Sequence, residues 1–128
     1  MGQRVCFIQA LGPMIFAVET EERALTVFPT ENEAVAYCEG LDVEAATWLF
    51  WAADGSPLEA EFITPNKRGW LSVQNGTYRL VPALPEHHAD LAEALDETLR
   101  LEPNPFFHSL LQVREHLAQV SAGAQDGA

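Results

Sequence analysis

Asn75-Gly76 lies between two apolar runs, Gly69-Trp70-Leu71-Ser72-Val73-Gln74 and Thr77-Tyr78-Arg79-Leu80-Val81, and is the clearest turn signal in the chain. Both residues tolerate the left-handed backbone that a type I′ turn needs, and the twist of that turn matches the twist of paired strands. A two-residue loop pairs Val73 with Tyr78 and Leu71 with Leu80, so four apolar side chains share one face without any adjustment of register. Antiparallel sheet built from hairpins is therefore expected, and an all-helical fold is excluded.

A second hairpin is expected at Asp54-Gly55, between Thr47-Trp48-Leu49-Phe50-Trp51 and Leu58-Glu59-Ala60-Glu61-Phe62. Loops of two or four residues both place Leu49 and Trp51 on the face of Leu58, Ala60 and Phe62, which is then the core face. The opposite face carries Trp48 and Phe50 beside Glu59 and Glu61, and Pro57 suits an edge strand. Upstream, Arg4 to Ala10, Met14 to Glu19 and Ala24 to Phe28 read as short strands separated by Leu11-Gly12-Pro13 and by Glu19-Thr20-Glu21-Glu22.

Periodicity then becomes helical. Thr30-Glu31-Asn32-Glu33 is a capping-box pattern, in which Thr30 accepts from the Glu33 amide and the Glu33 carboxylate reaches back to the Thr30 amide. A helix of about ten residues follows, burying Ala34, Val35, Cys38 and Leu41 and stopping at Gly40. After Pro82-Ala83-Leu84-Pro85, the positions Leu84, His88, Leu91, Leu95 and Leu99 form one helical stripe. A last helix is expected to start at Asn104-Pro105, with Phe106, Leu110, Val113, Leu117 and Val120 inward. The reading is thus α+β: a mostly antiparallel sheet, one helix after the first strands and two C-terminal helices packed on the sheet. One domain is expected over residues 1–120, with a flexible tail over 121–128.

At 128 residues the chain is long enough for one core, and its 48% hydrophobic content leaves no need for disulfide or metal staples. Cys6 and Cys38 stand apart in apolar contexts, as reduced core thiols do. Cys6 also occupies the position where an N-myristoylation signal wants Ser or Thr. No apolar run approaches the ~20 residues of a membrane span, so membrane association is not expected and the expected location is the cytoplasm.

The charge restricts function more than the motifs do. Nineteen acids against seven bases leave −12. Such a field repels phosphate backbones, which excludes nucleic acid as a partner class, and it accelerates encounter with a basic protein. No phosphate-binding glycine loop, G-x-S-x-G elbow or HExxH is present. His87, His88, His108 and His116 lack the i, i+4 spacing of a helical metal site, and neither metal nor cofactor is expected. Glu59 and Glu61 project from one strand face about 7 Å apart, a separation suited to gripping a cation or to acid–base work. An exposed tryptophan beside carboxylates is the usual anchor for a basic partner. Trp48, Phe50, Glu59 and Glu61 are therefore the candidate partner-binding patch.

Phe28-Pro29-Thr30-x-x-Glu33-Ala34 and Trp48-Leu49-Phe50-Trp51 leading into Asp54-Gly55-Ser56-Pro57-Leu58 resemble segments of the small acidic immunity proteins encoded beside bacterial toxins. The resemblance implies neutralisation of a toxin by direct binding and carries over no contact residues. The leading expectation is a non-catalytic cytoplasmic interaction protein that binds a basic protein through an acidic surface, with an immunity protein as its most concrete form. One alternative is a small acidic secretion chaperone; another is a small enzyme using Glu59 and Glu61 or the His87-His88 region.

Overall fold

The computed structural model describes residues 13–84, 86 and 88–126, with side chains described to residue 121. The expected strand at Arg4 to Ala10 lies outside the described residues, as do Cys6 and His87. Strands β1 (Ile15–Glu19) and β2 (Ala24–Phe28) form an antiparallel hairpin in which Ile15 faces Phe28 and Glu19 faces Ala24. The Glu19 carboxylate accepts from the amides of Glu21 and Glu22 at 3.1 and 2.9 Å, satisfying the turn, and Arg23 takes a left-handed φ of 53°.

β3 (Trp48–Ala52) pairs with the other side of β1, β4 (Pro57–Phe62) with β3, and β7 (Tyr78–Pro82) with β4, all antiparallel. β8 (Arg100–Leu101) adds parallel to β2, so the six-stranded order is β7-β4-β3-β1-β2-β8. β5 (Lys67–Arg68) and β6 (Val73–Gln74) form a separate two-stranded ribbon. Among the described residues the helices are α1 (Glu31–Tyr37), α2 (Gly40–Glu44), α3 (Leu91–Ala94) and α4 (Leu110–Asp126). The fold is α+β with a mostly antiparallel sheet, and α4 continues past Ser121 to Asp126.

Both faces of β1 and β2 are buried, which is why these strands read as nearly continuous apolar runs rather than alternating ones. On one face Ile15, Ala17, Phe28, Phe50 and Tyr78 pack with Ala34 and Cys38 of the α1 segment. On the other, Phe16, Val18, Leu25 and Trp51 pack with Leu91, Leu95, Val113 and Leu117. Each large side chain withdrawn from water in this way contributes about 1.5–3 kcal/mol.

The register of the β3–β4 hairpin corrects the sequence reading. Phe50 lies opposite Leu58 and Trp51 opposite Pro57, so five residues connect the paired positions rather than two or four. Gly55 supplies the positive φ of 88° within that turn. An odd connection reverses parity, and a slip of one residue exchanges the two faces. Phe50 therefore joins the Leu58 face in the core, whereas Leu49 and Trp51 share a face with Glu59 and Glu61. β4 is also interior, paired on both sides, rather than an edge strand.

The Asn75-Gly76 hairpin does not form either. β7 pairs with β4 over five residues, from Leu58↔Pro82 to Phe62↔Tyr78, and β6 pairs with β5. The Phe62 and Tyr78 rings sit 5.5 Å apart across that ladder, an aromatic cross-strand pair that the local hairpin cannot offer. Leu71 and Val73 are left in solvent. A Cβ on Gly76 would meet the Thr64 carbonyl oxygen at 2.2 Å, so glycine is required here for close backbone approach and not for a left-handed turn.

Helix ends differ for identifiable reasons. Thr30 caps α1 through the Glu33 amide at 3.2 Å, but α1 stops at Tyr37, Cys38 turns extended, and Gly40 opens α2 instead of ending α1. The neighbouring Glu31 ties the helix to the sheet instead, its carboxylate accepting from the Leu80 amide at 2.8 Å. The expected helix from Leu84 to Leu99 shrinks to α3 and a 3₁₀ turn at Leu95–Glu97, leaving Leu84 and Leu99 exposed. Beyond that turn the Leu99 and Glu102 amides donate to Arg23 and Leu25 carbonyls, and the chain joins the sheet. Asn104 accepts from the Phe106 and Phe107 amides at 2.8 Å without starting a helix. α4 starts at Leu110, where the Ser109 hydroxyl accepts from the Gln112 amide at 3.2 Å and the Gln112 side chain accepts from the His108 amide.

Candidate functional site

Trp51 organises a partly enclosed concavity. Its side chain lies on the helix-covered face beside Pro57, and its indole Nε1 donates to the Ala89 carbonyl at 2.8 Å. The Leu91 amide donates to the Gly55 carbonyl at 2.9 Å. These two bonds hold the segment entering α3 against the β3–β4 turn, which matters because a one-turn helix has no stability of its own. The result is a cleft of about 440 Å³ between β3, β4 and α3. Leu49 and Trp51 line its floor, and Glu93, Asp96 and Glu97 stand around it at helical i, i+3, i+4 spacing. Among the described residues Arg23 is the only Lys or Arg in its lining, and Asp96 is paired with Arg114 at 3.0 Å.

His88 marks the division between this cleft and a shallower one of about 720 Å³. The second cleft shares Glu93 and adds Asp54, Glu86 and Asp90. His88 Nε2 lies 3.7 Å from a Glu59 carboxylate oxygen. The two concavities therefore present one continuous acidic tract with an apolar floor on its more enclosed side. Crowded carboxylates of this kind favour a cationic guest, whose aliphatic stems an apolar floor also suits.

The four residues expected to form a patch are divided by the sheet. Phe50 is 3% exposed and packs on Tyr78 with ring centroids 6.3 Å apart. Trp48 is half-buried on that same side, edge-on to Tyr37 at 5.9 Å. Glu59 and Glu61 are exposed on the opposite face, where Glu61 pairs with the Arg79 guanidinium and Glu59 approaches His88. Of the four, Phe50 contributes to the cleft lining, and Glu59 meets the cleft only through His88.

His116 is a core residue. Its ring packs between Phe16 and Phe107, and its Nε2 hydrogen-bonds the Ala53 carbonyl at 2.7 Å. Cys38 is likewise internal: burial, with Asp42 adding to it, pushes its thiol up to about 12, and the Tyr78 hydroxyl donates to its carbonyl at 2.6 Å. Such a thiol is held neutral and is a poor nucleophile. Among the described residues no three His, Cys, Asp or Glu side chains converge on a metal-sized site, and no helix is long and apolar enough to cross a membrane.

A second exposed feature lies where the sequence reading places the first strand of the Asn75-Gly76 hairpin. The β5–β6 ribbon carries Trp70, 93% exposed, and Leu71, 85% exposed, at its tip, with Lys67 and Arg68 beneath them. Lys67-Arg68 is the only adjacent Lys/Arg pair in the chain, and that pairing beside a tryptophan is the available signal. No protein-family model, characterised protein or solved structure matches the chain.

Proposed function

We propose that this chain is a non-catalytic, cytoplasmic protein-binding module that captures a basic segment of a partner protein in the acid-rimmed cleft and sequesters it. The carrying observation is the cleft itself: an apolar floor of Leu49 and Trp51 beneath Glu93, Asp96 and Glu97, in a chain of net charge −12. Charge of that size raises encounter rates with a cationic protein by about 10- to 1,000-fold, and the floor supplies the apolar contact that slows release. The likeness of the Phe28–Ala34 and Trp48–Leu58 segments to immunity-type proteins makes a basic toxin the most concrete partner.

The test is parallel capture from native lysate by the tagged wild-type protein and by the charge-reversed Glu93→Lys/Glu97→Lys variant. Elution is by a salt step, because exposed charges are screened beyond ~8 Å at physiological ionic strength. A stoichiometric basic protein held by the wild type and lost with the variant is the expected result. Equal recovery with both, or recovery of the bait alone, would overturn the assignment.

A further inference from the structure

The ribbon at β5–β6 is presented rather than left loose. Its tip is closed by the Gly69 amide donating to the Ser72 carbonyl at 2.7 Å. Its base is clamped three ways: the Thr77 amide donates to the Thr64 hydroxyl at 2.8 Å, the Asn66 amide group donates to the Gly40 carbonyl at 3.1 Å, and the Gly76 amide donates to Asn66 Oδ1 at 2.7 Å. A clamped ribbon loses little freedom when it binds, which favours recognition by its tip.

An indole and a leucine almost wholly in water on one projecting element are unusual for a monomer surface. Charge narrows the choice of what covers them. Arg79, Arg100 and Arg114 each meet a carboxylate, whereas no described carboxylate lies within salt-bridge distance of Lys67 or Arg68. The ribbon therefore wants an acceptor with an apolar floor and an acidic rim. The cleft beside α3 has that chemistry, and its volume of about 440 Å³ falls within the range that encloses compact guests such as one indole. An anionic bilayer would offer charge too, but the chain's nineteen acids oppose its approach.

We infer that the Trp70–Leu71 tip of one copy seats in the acid-rimmed cleft of a second copy, with Lys67 and Arg68 against Glu93 and Glu97. The inference rests on the cleft being the acceptor for basic segments. Donor and acceptor are different surfaces, so the contact is heterologous. A pair keeps one free cleft on the donor copy and one free tip on the acceptor copy, so association continues into chains or closes into a ring. The contact is small beside the ~1,600 Å² of a standard interface, so assembly is weak and concentration-dependent.

Sedimentation velocity over a concentration series tests this with two variants whose changes lie at exposed positions. Trp70→Ala keeps the cleft but loses the tip; Glu93→Lys/Glu97→Lys keeps the tip but loses the cleft. The wild type is expected to grow beyond dimer with concentration, and each variant alone is expected to remain monomeric, at least tenfold weaker in association. An equimolar mixture of the two is expected to recover a 1:1 complex and nothing larger, since tip and cleft are then each available once. A wild type that stays monomeric at about millimolar concentration would overturn the inference while leaving partner capture by the cleft intact. Association that Trp70→Ala abolishes and the cleft variant does not would remove the cleft as acceptor. A symmetric dimer that the mixture cannot reconstitute, or Trp70-dependent sedimentation with phosphatidylserine vesicles by a monomeric wild type, would also overturn it.

Discussion

Leu49 and Phe50 are adjacent in β3 and lie on opposite faces, so truncating each in turn reads the register of the β3–β4 hairpin directly. Phe50 is 3% exposed and Leu49 is 41% exposed. Phe→Ala in a packed core costs about 3–5 kcal/mol through lost transfer energy and the cavity left behind. Leu49, buried over little more than half its surface, is expected to cost about 1 kcal/mol when truncated. With a urea slope of about 2 kcal/mol/M, Phe50→Ala lowers the unfolding midpoint by about 2 M and Leu49→Ala by about half a molar. Phe50→Ala removes a large part of a typical 5–15 kcal/mol, and if it does not fold, Phe50→Leu gives the same ordering at smaller amplitude. The assay is equilibrium urea unfolding followed by circular dichroism, with slopes required to agree among variants. A Leu49→Ala loss equal to or greater than that of Phe50→Ala would place β3 one residue out of register and return Phe50 to the face of Glu59 and Glu61.

Two further outcomes follow from the packing. Gly76→Ala forces a Cβ toward the Thr64 carbonyl oxygen and the Pro65–Asn66 backbone, none of which has a side-chain rotamer to yield, so a loss of about 1–3 kcal/mol and a melting temperature lower by about 5–10 °C are expected by calorimetry. An unchanged melting temperature would contradict the close approach. Burial, with Asp42 adding to it, holds the Cys38 thiol up at about 12 against 9.0 ordinarily, so the unfolded chain releases that proton first as pH rises. The thiol's contribution is complete below pH 9 and is lost toward pH 12, and the wild-type urea midpoint should fall more steeply across that window than that of Cys38→Ala. Parallel slopes would place Cys38 in solvent.

Elements whose pattern and neighbours are local could be read from the sequence. β2 runs over the expected Ala24–Phe28, and Thr30 caps α1 as expected, because a hairpin strand and a first turn need only nearby residues. Val113 and Leu117 are buried as expected, although α4 starts at Leu110 and not at Asn104-Pro105: Asn104 looks like a cap and Ser109-x-x-Gln112 is the pair that acts as one. The β3–β4 register was not legible, because loops of different parity fit the same turn residues and only the sheet's two-sided packing chooses between them. That one residue of parity determined the fate of the expected patch. It carried Phe50 into the core and left Glu59 beside His88.

The cleft and the ribbon were illegible for a common reason: each is positioned by bonds between segments remote in sequence. α3 is only four residues long, and its place is set by Trp51 binding Ala89 and by Gly55 binding Leu91. Without those bonds Glu93 and Glu97 are two more acids in an acidic chain; with them they stand over an apolar floor. Asn75-Gly76 makes the same point in reverse. Its turn propensity is high, yet Asn75 Oδ1 accepts from the Leu41 amide at 2.9 Å and Gly76 packs on the Thr64–Asn66 backbone, so both residues serve α2 and the ribbon base. Had they closed the local hairpin instead, Leu71 would lie opposite Leu80 in a continuous ladder and Trp70 would have no projecting ribbon to occupy. The pairing of β7 with β4 is thus what leaves the ribbon free. The most exposed indole and the only adjacent cations of the chain share its outer end because the sheet took the other half of the expected hairpin.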